Sequence, residues 1–189
     1  SETVTIGAIG ADNEIGAVLI DAHDGITLTG NIALADAAGA DLDLDGPVLI
    51  SGDVTIDNDN TNEDGLIDFE STIDGVSGDS KDDDLVIKAG DHDGDTSPGG
   101  VLTFGGSIGD TTPLTTLKIN ATAGTAVIDL PQIGGGGVAG VTGQVDIGNS
   151  NTARIDINSS TIDFGTGDVT LTAGAGGTVF TTATPTIDM

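Results

Sequence analysis

Apolar and polar residues alternate along this chain in runs of four or five. Thr3–Ile6 (TVTI), Gly25–Thr29 (GITLT), Asp41–Asp45 (DLDLD), Asp53–Asp57 (DVTID) and Leu85–Lys88 (LVIK) show the pattern. Val101–Phe104, Leu117–Asn120, Ala126–Leu130, Gln144–Ile147, Arg154–Ile157 and Asp168–Thr172 repeat it. A period of two turns alternate side chains inward and outward from a pleated strand. Clusters of Gly, Asp, Asn and Pro, the residues of tight turns, separate the runs. Asn31–Ala40 (NIALADAAGA) comes nearest to a helix, but it has no apolar stripe. The pattern predicts many short strands.

Those strands recur in a larger unit: a β run, a turn of small residues, a second β run, then a closing apolar residue. Val18–Ile32, Val54–Ile73, Leu85–Ile108, Leu117–Ile133, Val145–Ile162 and Val169–Ile187 are degenerate copies of it. The inserts vary in length while the strands do not, as expected of stacked coils whose strands must register and whose turns are free to bulge outward. The pattern predicts an all-β parallel β-helix, or β-solenoid. A β-sandwich or jelly roll of short alternating strands is the alternative.

Composition fits a narrow solenoid interior. The chain has four Phe and neither Tyr, Trp nor Cys, so it offers no disulfide framework and little aromatic contact area. Lys and Arg total 4 against 31 acidic residues, a formal charge of −27. That balance excludes nucleic-acid binding through phosphate neutralisation and attraction to an anionic membrane. No apolar run approaches the roughly 20 residues of a membrane-spanning helix, so membrane insertion is not expected.

Val101–Lys118 (VLTFGGSIGDTTPLTTLK) with Ile119–Thr125 (INATAGT) resembles the repeats of filamentous-haemagglutinin-like β-strand-repeat adhesins of bacterial surfaces. Gly65–Gly75 (GLIDFESTIDG) and Asp163–Gly177 (DFGTGDVTLTAGAGG) are weaker copies of parts of that pattern. The resemblance implies secretion, a right-handed β-helix and a structural or adhesive role. The 189 residues are fewer than such an adhesin has, and they include no segment like its N-terminal secretion domain.

The strongest local motif is Asp57–Glu70, DNDNTNEDGLIDFE. Oxygen side chains at alternate positions, a Gly and a later acid suit a hard cation that takes six to eight oxygens. Asp57, Asp59, Asn60, Asn62, Asp64 and Glu70 are its candidate calcium ligands, although Ser71 stands where an EF-hand has Glu. Asp91, Asp93 and Asp95 of the DHDGD cluster are a second candidate set, and Asp82–Asp84 lies near it. The competing reading is plain solvated turns. His23 and His92 sit beside Asp in turns, without a nucleophile or orienting partner in view, and no enzyme is expected.

The sequence thus predicts one solenoid domain over residues 1–189, or an excerpt of a longer array, with an Asp-rich insert near 79–100. The expected role is an extracellular, cell-surface structural or adhesive repeat protein in a fibre, matrix or filament. A surface module that binds glycans is the alternative, with a β-helix enzyme acting on polysaccharide behind it. Thr3, Val4, Thr5 and Ile6 at one end, and Thr186 and Ile187 at the other, are strand-like. They are the candidates for self-association by end-to-end stacking.

Overall fold

The structure is a computed structural model. It describes residues 3–11, 13–35, 37, 39–58, 65–90, 102–121, 127–152, 154–159, 161–174, 178–181 and 186–188. Among them there is no helix, and the Asn31–Ala40 stretch contributes a two-residue strand instead. Among the described residues all pairings between strands are parallel, as the stacked-coil reading requires and as a hairpin-built sandwich forbids. The chain is a β-solenoid.

Three faces form in rotation. The first carries β1 (Thr3–Ile6), β3 (Gly25–Leu28), β6 (Val48–Ile50), β9 (Ile73–Gly75), β16 (Thr161–Asp163) and β19 (Thr186–Asp188). Single parallel bridges at Ile108 and Ile133 join β9 to β16. The second stacks β4 (Ile32–Ala33), β7 (Asp53–Asn58), β10 (Asp84–Ala89), β12 (Thr116–Ala121), β14 (Val145–Ile147) and β17 (Val169–Leu171). The third begins with β2 (Val18–Asp21), β5 (Leu42–Asp45), β8 (Ile67–Phe69) and β11 (Leu102–Phe104). It resumes, as a separate sheet, with β13 (Val127–Leu130), β15 (Arg154–Ile157) and β18 (Thr178–Thr181).

In-register stacking turns the period-two pattern into columns. On the first face Val4, Ile26, Val48, Ile73, Ile108, Ile133, Ile162 and Ile187 follow one another. On the second, Ile32, Ile56, Ile87, Ile119, Ile147 and Leu171 do the same. Ile87 and its neighbours Ile56, Ile119 and Ile147 are almost wholly buried. Each such side chain contributes about 1.5–3 kcal/mol of burial. Five of the six repeat copies are structurally in phase: Val54, Leu85, Leu117, Val145 and Val169 share one column of the second face. Their closing residues Ile73, Ile108, Ile133, Ile162 and Ile187 share one column of the first. The copy Val18–Ile32 is out of phase, because Val18 opens on the third face.

Corners bring backbones very close. At Gly109 φ is +67°, and a Cβ there would collide with the carbonyl oxygen of Gly140 in the adjoining layer. Only glycine combines that torsion with that approach. Two buried carboxylates brace other corners. Asp74 accepts the backbone N–H groups of Thr111 and Thr112 at 3.0 and 3.1 Å. Asp83 accepts those of Gly52 and Val76 at 3.2 and 2.9 Å. Burial pushes the Asp83 carboxyl above its ordinary range, and these two hydrogen bonds oppose the shift.

Candidate functional site

The third face carries a carboxylate ladder on its outer side. In β5 the sequence LDLD turns Leu42 and Leu44 inward and Asp43 and Asp45 outward. In β8 the sequence IDF repeats this, with Ile67 and Phe69 buried and Asp68 outside. The register sets Asp43 against Asp68 and Asp21 against Asp45. Glu70 follows β8 at its exposed end. Asp43, Asp68 and Glu70 each offer an oxygen within 4.8 Å of the others.

Like charges directly opposed on paired strands repel. Burial first, then Asp68 and Asp45, raises the Asp43 carboxyl. Asp45 first, then Asp43, raises that of Glu70. Thr103 on β11 donates its hydroxyl to Asp68 Oδ1, whereas Asp43 Oδ1 is shielded from water without a hydrogen-bond partner. The donor set is hard oxygen only, which suits calcium rather than a metal preferring nitrogen or sulfur.

The ligands expected from the sequence fall in different places. Glu70 belongs to this ladder. Asp57 lies on the second face, where Lys88 Nζ donates to its Oδ2 at 2.8 Å. Asp59, Asn60, Asn62, Asp64, Asp91, Asp93 and Asp95 lie outside the described residues. The base of the 59–64 loop is described: buried Asn58 donates its amide to the carbonyl of Gly65 across it. Asp43 and Asp68 were not singled out by sequence. Their signal was an outward Asp between two inward apolar residues in consecutive coils.

No protein-family model, curated protein or solved structure matches this chain. Functional assignment therefore rests on the molecule's own surfaces. The terminal layers are the second such surface. Val4 and Ile6 in β1, Ile20 in β2 and Leu171 in β17 are only partly buried, although their column neighbours Ile26, Leu28, Leu44 and Ile147 are fully buried. Ile187 in β19 is 40% exposed, while its neighbour Ile162 is fully buried. Thr3, Val4, Thr5 and Ile6 occupy the edge strand at one end of the first face; Thr186 and Ile187 occupy the other.

Proposed function

We propose that this chain is an extracellular structural or adhesive repeat protein, part of a cell-surface fibre or matrix, built to be continued by coils like its own. The carrying observation is the graded burial along the columns of the first face: complete from Ile26 to Ile162, partial at Val4 and Ile187 in the end layers. Open parallel edges with apolar residues beside them favour another layer of the same kind. In a longer array that layer is the next coil of the chain. For the 189-residue chain alone it is a second copy, and the polypeptide then self-associates end to end. The columns supply the mechanism, since each coil is stabilised by its neighbours and added coils cover one another's ends.

Calcium is the proposed partner of the Asp43–Asp68–Glu70 ladder, where it neutralises the repulsion on a surface already far from charge balance. Sedimentation velocity and electron microscopy of the purified chain, with thermal melts, each in calcium and in EDTA, test both parts. The expected outcome is elongated oligomers that grow with concentration and a higher melting temperature in calcium. A single monomeric species at high concentration in both buffers refutes the stacking, and an identical melt in EDTA refutes the metal.

A further inference from the structure

β13 and β15 pair in register, and the pairing sets Asp129 directly against Asp156. Both strands place Asp between two buried apolar residues, Ile128 and Leu130 in one and Ile155 and Ile157 in the other. The two carboxyls therefore stand on the same side of the sheet, one layer apart. Asp156 is only 7% exposed even so.

Opposed like charges on paired strands repel, and a buried carboxylate needs hydrogen-bond donors. Arg154, the chain's single arginine, supplies one: Nη2 donates to Asp156 Oδ2 at 2.7 Å. Asp156 Oδ1 is shielded from water, and no N–H or hydroxyl among the described residues reaches it. The group within hydrogen-bonding reach of Asp156 is the Asp129 carboxyl. A carboxyl donates only when it is protonated.

We propose that Asp129 and Asp156 share one proton, and that the pair is a pH-sensitive clasp between the β13 and β15 layers. The proton sits on Asp129 and is donated to Asp156, because Oδ2 of Asp156 already faces the fixed charge of Arg154. Loss of hydration first, then the hydrogen bond to Asp156 and its charge, raises the Asp129 carboxyl above its ordinary range; Arg154 opposes the shift. Asp129 keeps an exposed flank, so the proton exchanges with solvent. Among the described residues the neighbouring strands bring no further titratable group: β11 is Leu-Thr-Phe and β18 is Thr-Val-Phe-Thr. A metal ion suits the pair poorly, since Arg154 already brings a positive charge against it.

Position gives the clasp its leverage. Among the described residues no ladder joins β13 to β11, so on the third face β13 is held by β15 alone. With the proton in place a side-chain hydrogen bond reinforces that ladder; without it, two carboxylates repel across it. The clasp's contribution to stability is whole below the ordinary carboxylate range and is lost as pH rises through the raised value of Asp129. Acid tightens this layer and neutral solution loosens it.

This inference is independent of the fibre and calcium readings, because the pair lies inside the stack and in a different sheet from Asp43 and Asp68. The test is a carboxyl-detected carbon-13 NMR titration of the full chain, in EDTA and in calcium. The Asp129 carboxyl should titrate above the ordinary value of about 3.9 in both buffers. Backbone amide signals of Ile128, Leu130, Ile155 and Ile157 should move with the same midpoint. Asp129→Asn carries an amide that donates to Asp156 at every pH, so it should hold those signals in their acid form and abolish their pH response. Asp168→Asn, which removes an exposed carboxylate beside the second face, should leave the titration unchanged. The proposal is overturned if Asp129 titrates at or below the ordinary value, if its raised midpoint disappears in calcium, or if D129N keeps the parent's amide response. Should D129N fail to fold, the parent's own titration decides.

Discussion

Asp68→Asn removes one charge from the carboxylate ladder and keeps the oxygen that accepts the Thr103 hydroxyl. Asp43 and Asp68 offer oxygens within 4.8 Å of each other. Two unit charges at that separation repel by about 0.9 kcal/mol in bulk-water dielectric, and by about 3.5 kcal/mol at an effective dielectric of 20. Both residues are only partly buried, so the smaller figure is the better guide. The variant should therefore be more stable than the parent by about 1 kcal/mol in EDTA, which is about 2–4 °C in melting temperature for a chain of this length. Calcium should raise the parent's melt and have little effect on the variant's, because binding to the folded state alone stabilises it by mass action. Paired thermal melts by circular dichroism, with and without calcium, read both effects. A D68N variant that melts lower than the parent in EDTA, or gains equally from calcium, contradicts the ladder as repulsive and metal-binding.

The pH dependence follows from four carboxyls, Asp43, Glu70, Asp83 and Asp129, each raised in the folded chain. A raised folded value favours folding below the ordinary carboxylate range, and that gain is lost as pH rises through the folded value. In EDTA the melting temperature should climb as acidification approaches the ordinary carboxylate range of about pH 4, and a steady fall on that approach contradicts the assignment. Ile87→Ala, in the middle of the second-face column, should cost about 2–5 kcal/mol by chemical denaturation. A loss below about 1 kcal/mol would mean that the column is not tightly packed. Gly109→Ala should cost more than about 1 kcal/mol and disturb the amide signals of Gly140, because strain of torsion and contact coincide there; an unchanged melt argues against so close a corner.

The repeat was legible because inward residues must match from coil to coil, and the closing isoleucines at 73, 108, 133, 162 and 187 mark one column. Two of the short strands, Ile32–Ala33 and Ile73–Gly75, were not visible as separate elements. They are too short to show alternation and are fixed by neighbouring layers. The ladder at Asp43 and Asp68 was hidden for a related reason. It joins residues from different coils, and the intervening loop length decides which outward carboxylates meet. Local density drew attention to Asp57–Glu70, where Asp57 is instead held by Lys88 across two layers of the second face.

The break in the third face between β11 and β13 has a mechanical consequence. A solenoid pulled from its two ends peels one coil at a time, and each coil resists through the ladders that tie it to the next. Among the described residues no ladder joins β11 to β13, so that layer should yield at a lower force than its neighbours. Under shear the molecule has a built-in place to part, with the coils on either side still wound.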